Sequence, residues 1–356
     1  MKNNLRTRLP AGRSVAIFLK IILSVCAIFL IGPLFFSNDY IPSSAKQKGI
    51  CWVGGREVVT EKEIAALVKC NINWISQTPF GWQRDANSSN IQTNFSFDKI
   101  WWGESDEGIS KTTTLAKKSG IKTLLKPHLW VGKAWPGDIE MKSDTAWQSW
   151  FSNYEKFIMH YAQLAEKNKI EIFCIGTELH KTIKREKEWR ALIKKIKTVY
   201  KGKLTYASNF HEEYEQVKFW DELDYIGIQA YFSLTKNEEH TLDELKAGWI
   251  APLASIEHVH KKYNKPVLFT EIGYRSDVKA GIEPWVWPQE NSTVKISEDA
   301  QANCYQAFFQ TAWSKSWLEG VYFWKWYPHG PRRMAEIDFT PQGKSAEKVM
   351  TEEFRK

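Results

Sequence analysis

The chain has 356 residues, 43% hydrophobic and 14% aromatic, with 49 basic against 41 acidic side chains. That length suits one large α/β domain with a leader and does not require a second domain. Lys2, Arg6, Arg8, Arg13 and Lys20 all fall within residues 1–37, which hold no acid, so the remainder is near neutral with 44 bases against 41 acids and gives no reason to expect nucleic acid as a partner.

Residues 2–13 are basic, and residues 14–36 are apolar apart from Lys20 and a few small residues. This is the pattern of a membrane-targeting segment. No small-x-small cleavage site closely follows Phe36, so residues 1–37 are expected to act as an uncleaved signal anchor; cleavage would release a secreted form. The positive-inside rule then leaves the N-terminus in the cytoplasm and the rest of the chain outside it, in the periplasm or at the cell surface. Residues 38–47, with Pro42 and two serines, read as a linker.

Residues 48–356 alternate strand-like and helix-like runs. The first strand is expected at 48–54 (KGICWVG), followed by a helix at 60–70 that Thr60 caps with Glu63 three residues on. A second strand at 72–76 leads into a long loop with Trp82, Trp101 and Trp102, and loops of that length in a compact domain are usually functional. After a helix ending near Gly120, a third strand spans 121–127 and ends in His128, and the loop behind it carries Trp130 and Trp135. A helix at 143–168 precedes the fourth strand, 170–179 (IEIFCIGTEL), and a basic amphipathic helix at 189–200 follows. Strands at 203–208, ending near Asn209, and at 225–230, ending in Tyr231, come next. A helix at 242–263 leads to the seventh strand, 266–275 (PVLFTEIGYR), and a loop with Trp285 and Trp287. A helix at 297–318, an eighth strand at 321–326 and a helix after Pro341 complete the chain. Apolar strands buried on both faces and joined by helical crossovers fit a single closed (β/α)8 TIM barrel better than an open doubly wound sheet. No glycine-rich phosphate loop follows any strand, which also argues against a nucleotide fold.

Five cysteines form no disulfide framework: Cys26 lies in the leader, Cys51 and Cys174 inside strands, and Cys70 and Cys304 at different heights of the helical layer. His128, His180 and His211 lack an HExxH-type spacing, so neither a metal nor a cofactor is expected.

Two apolar strands end in a carboxylate, Glu178 on the fourth and Glu271 on the seventh. Barrel active sites lie at the carboxyl ends of the strands, and strands four and seven stand on roughly opposite sides of the mouth. A pair of acids so placed suits glycoside hydrolysis, retaining at a separation of about 5 to 5.5 Å and inverting at about 6.5 to 9.5 Å. Strict alternation groups Glu271 with Phe269 and Val267, and Glu178 with Gly176 and Cys174; those faces are expected to point into the barrel. Eighteen tryptophans exceed what the core needs, and indole faces stack on sugar rings. The loop tryptophans, notably Trp130 and Trp285, are therefore candidate sugar platforms, with Trp52 on the first strand beside them. Asn209 and His128 are rim groups that either meet sugar hydroxyls or satisfy a loop backbone, while Lys126 and Arg275 either support the acids or touch substrate.

GTEL, FTEIGYRS, the opening KGICWVG and the eighth-strand YFWKW together resemble glycoside hydrolase family 113, the β-mannanases of the retaining clan A of (β/α)8 hydrolases, over about residues 48–345. The resemblance implies Glu178 as general acid/base, Glu271 as nucleophile and Tyr231 as the tyrosine that hydrogen-bonds the nucleophile. It also implies Trp324 or Trp326, which share parity, as the tryptophan beneath the −1 sugar. Many clan members place Asn immediately before the acid/base to hold the substrate 2-hydroxyl; Thr177 stands there in this chain and is the candidate contact. The implied function is retaining cleavage of β-1,4-linked mannan or manno-oligosaccharides by an endo-acting monomer. A clan A hydrolase of another β-glycan, glucan or xylan, and a non-catalytic carbohydrate-binding barrel are the alternatives.

Overall fold

The computed structural model describes residues 45–93, 100–288, 293–331 and 334–356. The expected membrane anchor and most of the expected linker lie outside the described residues; among those described, no helix is long and apolar enough to cross a membrane.

In chain order the strands are β1 (Gln47–Trp52), β2 (Trp74–Gln77), β3 (Phe80–Gln83), β4 (Ile91–Gln92), β5 (Lys122–Leu125), β6 (His128–Val131), β7 (Ile172–Thr177), β8 (Lys203–Asn209), β9 (Tyr225–Gln229), β10 (Val267–Ile272) and β11 (Leu318–Trp326). Eight of them close into a parallel barrel in the order β1, β11, β10, β9, β8, β7, β5, β2. The other three form a small sheet on its rim, β3 antiparallel to β4 and parallel to β6. The loop expected after the second strand thus has structure of its own. The helices are α1 (Glu61–Lys69), α2 (Asp106–Lys118), α3 (Asp144–Asn168), α4 (Glu186–Val199), α5 (Glu213–Gln216), α6 (Leu242–Gly248), α7 (Ile250–Tyr263), α8 (Glu298–Gln310) and α9 (Ser345–Arg355).

Local chemistry sets these boundaries. Thr60 and Glu63 form a reciprocal capping box at α1, and Ser105, Ser143 and Ser297 each accept a first-turn N–H at α2, α3 and α8. The single helix expected at 242–263 is broken into α6 and α7, because Pro252 lacks the N–H that would bond the Gly248 carbonyl. The helix expected to reach residue 318 ends at Gln310, and β11 begins at Leu318.

The core has two layers. Cys51, Leu124, Ile172, Cys174, Ala207, Leu268 and Tyr322 fill the barrel interior. Ile50, Trp52, Val267, Phe269 and Phe323 pack outward with the helices. Burial on both faces is why the strands read as continuous apolar runs rather than alternating ones. Cys51, Cys70, Cys174 and Cys304 are buried free thiols.

Strict alternation fails at the mouth. The ladder runs from Cys174↔Thr205 to Thr177↔Ala207 on β7, from Phe269↔Ile228 to Glu271↔Gln229 on β10, and from Phe323↔Ile50 to Trp326↔Trp52 on β11. Each slip inserts an extra residue on one strand and re-aims the side chains beyond it. Val267 and Phe269 therefore face the helices, contrary to the alternation reading, while Glu271 still reaches the mouth. On β11 the Trp324–Lys325 peptide is cis, and Trp326 joins the outer core.

Candidate active site

A cleft of about 880 Å³ opens at the carboxyl ends of the barrel strands, and Glu178, Glu271, Asn209, Tyr231, His128 and Trp324 all line it. Glu271 is 5% exposed. The Tyr231 hydroxyl donates to its Oε2 at 2.7 Å, and the fully buried Lys126 ammonium pairs with its Oε1. His128 Nε2 stands 3.6 Å from the same oxygen. Burial pushes the Glu271 carboxyl up, but the Lys126 charge and hydrogen bond outweigh it and hold the group below the usual carboxylate range. Burial likewise pulls the Lys126 ammonium down, and Glu271 more than restores it. The two charges maintain each other. Burial and the adjacent Lys126 lower His128 to about 3, so its imidazole is neutral near pH 7.

Glu178 sits one residue beyond β7 in a left-handed backbone conformation, φ 51°, with its N–H donating to the Ala207 carbonyl at 2.8 Å. Asn209 Nδ2 donates to Glu178 Oε1 at 2.6 Å and Trp135 Nε1 to Oε2 at 3.4 Å. Burial, reinforced by the negative Glu271, raises the Glu178 carboxyl. One cleft thus holds an acid favoured as the anion and an acid favoured as the neutral form. That combination can attack an electrophilic carbon and protonate its leaving group in one step.

Aromatic faces extend the site. Trp130 and Trp285 line the cleft and are 56% and 44% exposed. Trp82 lies nearly parallel to Trp130, with ring centroids 6.4 Å apart, and Trp285 packs on Phe210 at 4.8 Å. Register explains the first pair: Trp82 faces Trp130 across β3 and β6, and Phe80 faces His128 two residues back on the same sheet face.

Three expected contacts lie elsewhere. Trp52 is 1% exposed in the outer core, since its strand position points toward the helices. Trp326 is 3% exposed in the same layer, because the β11 slip separates its direction from that of Trp324. Thr177 is buried, and its hydroxyl donates to the Pro127 carbonyl at 3.4 Å. Arg275 pairs with Asp277 at 2.7 Å and donates to the Pro284 and Val286 carbonyls, so it anchors the loop after β10 rather than the acids. Trp102 is core, and Trp101 stacks under Arg56 outside the cleft.

Sequence reasoning missed Gln229 and took Trp135, which donates to Glu178, only as one of the loop tryptophans offered as sugar platforms. Gln229 ends β9 inside the cleft, where its Oε1 accepts from Thr270 at 2.9 Å and faces Lys126 at 3.5 Å. Its place at a strand end, just ahead of the tyrosine that bonds Glu271, was the available signal. Among the described residues no group of three or more His, Cys, Asp or Glu side chains is placed to hold a metal ion.

The family model described as Glycoside Hydrolase Family 113 matches residues 55–343. Among solved structures, one titled a complex of a GH113 β-1,4-mannanase is 25% identical with a TM-score of 0.75, covering 87% of this chain and 99% of that one. A GH113 β-mannanase, AaManA from Alicyclobacillus acidocaldarius, is 27% identical with a TM-score of 0.74, covering 87% of this chain and 97% of its own. A β-glucuronidase of Faecalibacterium prausnitzii, 13% identical with a TM-score of 0.58, covers 87% of this chain and 49% of its own and shares the fold. No curated protein sequence matches.

Proposed function

The chain belongs to glycoside hydrolase family 113, and we propose that it is a retaining hydrolase of β-1,4-linked mannan or manno-oligosaccharides. The observation that carries this reading is the opposite polarisation of two carboxyls across one cleft: Lys126 and Tyr231 stabilise the Glu271 anion, while burial and Glu271 favour the proton on Glu178. Glu271 attacks the anomeric carbon as Glu178 gives its proton to the departing glycosidic oxygen. Forming the glycosyl ester removes the Glu271 charge, so Glu178 becomes a stronger acid and its carboxylate takes a proton from the attacking water. Water ends on the sugar, and both acids return to their starting states. Trp324 forms the floor beneath the −1 ring, Asn209 and neutral His128 meet sugar hydroxyls, and Trp130 and Trp285 carry outer sugar units. The mannan assignment draws its support from the solved mannanases at 25% and 27% identity.

The test is digestion of β-1,4-mannohexaose by the full chain beside its Glu271→Ala variant, with products read by mass and anomers by proton NMR at early times. Shorter β-anomeric mannosides from the wild type alone are expected. Activity in Glu271→Ala, or initial α-anomers, would sink the mechanism; cleavage of glucan or xylan oligosaccharides instead would replace the substrate.

A further inference from the structure

The loop after β8 reads HEEYEQ in sequence, an acidic stretch typical of a solvated surface, yet one of its carboxyls is hidden. Glu213, which opens α5, is 0% exposed. Both its oxygens are used. The Tyr206 hydroxyl stands 2.5 Å from Oε1, and the Asn209 backbone N–H donates to Oε2 at 2.6 Å. The far ends of those contacts meet at Glu178: Tyr206 Oη accepts the Leu179 N–H at 2.8 Å, one residue past the acid, and Asn209 Nδ2 donates to the acid itself at 2.6 Å. A single buried carboxyl therefore ties the backbone corner that carries Glu178 to the side chain that holds Glu178 in place.

The arrangement is built into the packing. The Tyr206 ring lies against β7 at Gly176, where a Cβ would meet Tyr206 Cε2 and Trp189 Cη2 at 2.9 Å each. Only glycine leaves room there. The corner needs bracing because Glu178 is a non-glycine residue at positive φ, a conformation that neighbouring contacts must hold.

We infer that Glu213 and Tyr206 are positioning residues for proton delivery, holding Glu178 and Asn209 in the orientation that aims the acid proton at the leaving oxygen. The inference rests on the reading of Glu178 as acid/base. Burial raises the Glu213 carboxyl to about 8 even against its two donors: Oε1 accepts from the Tyr206 hydroxyl and Oε2 from the Asn209 N–H. A glutamine keeps one acceptor oxygen and sets its amide nitrogen against the other donor.

The split between leaving groups reads this role. A mannan-type oligosaccharide needs its departing oxygen protonated, whereas a dinitrophenyl β-mannobioside does not, and kcat/KM reports the glycosylation step for both. Glu178→Ala serves as the reference and should lose activity heavily on the oligosaccharide while nearly retaining kcat/KM on the activated substrate. Tyr206→Phe and Glu213→Leu are expected to show the same split in milder form, roughly tenfold or more on the oligosaccharide and within about twofold on the aryl substrate. Glu213→Gln, which keeps one of the two acceptors, should fall between wild type and Glu213→Leu on the oligosaccharide and stay within about twofold on the aryl substrate. Equal losses on the two substrates in Tyr206→Phe, or no loss on either, would overturn the inference while leaving the acid/base reading intact. A Glu213→Gln variant as impaired on the oligosaccharide as Glu213→Leu would overturn it in the same way. Absence of the split in Glu178→Ala would overturn both. Tyr206→Phe removes one hydroxyl only, so the test stands even where Glu213→Leu fails to fold.

Discussion

Glu178 and Glu271 are chemically identical and both lie in the cleft, yet their neighbours drive them to opposite protonation states. Lys126 is the deciding neighbour. It is fully buried against Glu271, and burial alone would push that carboxyl up. Lys126→Met should therefore raise the Glu271 pKa and move the acidic limb of the kcat/KM profile to higher pH. Two pH units of displacement correspond to roughly a 100-fold loss well below the new limb. An unchanged acidic limb in that variant would show that Lys126 does not set the nucleophile's charge. The two acids stand out in the sequence, because each interrupts an apolar strand. Lys126 is visible too, as a charge at a strand end before Pro127, but nothing in the sequence says whether it faces an acid or a sugar. Glu213 is invisible there, since a buried carboxyl and a solvated one look alike within HEEYEQ.

At the scale of elements, the alternation of barrel strands and helices is legible because burial on both faces leaves long apolar runs. What the sequence does not reveal is the register slip near the top of β7, β10 and β11. A bulge has no compositional mark of its own, and one extra residue reverses every side-chain direction expected beyond it. That is why Trp324 and Trp326, which share parity, face different ways and why strict alternation puts Val267 and Phe269 on the wrong face. The small sheet of β3, β4 and β6 is hidden for a different reason: its strands are two to four residues long, below what periodicity resolves. Its exposed face supplies a prediction. Trp82 and Trp130 lie nearly parallel beyond Phe80 and His128, a run of aromatic surface leading away from Glu271. Trp130→Ala should raise KM for mannohexaose by about tenfold, the equivalent of one lost stacking contact, and leave the shortest cleaved oligosaccharide nearly unaffected. Equal effects on long and short substrates would place Trp130 at the reacting sugar or outside the cleft altogether.

Across the whole molecule, buried groups with displaced pKa values couple catalysis to stability. Glu213 is raised from 4.5 to about 8, so between those values the folded chain keeps a proton that the unfolded chain has released. Its stabilising contribution is complete below pH 4.5 and is lost as pH rises through 8. Glu178, also raised, acts in the same direction. His128 has the opposite sign: lowered from 6.5 to about 3, it makes the unfolded chain the better proton binder and costs stability as pH falls through that range. Glu213 and His128 therefore oppose each other between 4.5 and 6.5, and above 6.5 the Glu213 contribution runs without that offset. Glu271, held below its ordinary value, loses its stabilising effect only on the acid side. Unfolding free energy from urea titrations should accordingly fall between pH 6.5 and 8, with Glu213 accounting for roughly 2 kcal/mol of the decline. Glu213→Gln keeps one acceptor oxygen but cannot ionise, so its stability should be nearly level over that interval apart from the smaller slope due to Glu178. A decline as steep in Glu213→Gln as in the wild type would mean that the buried carboxyl does not hold its proton at neutral pH and that the brace behind Glu178 is charged.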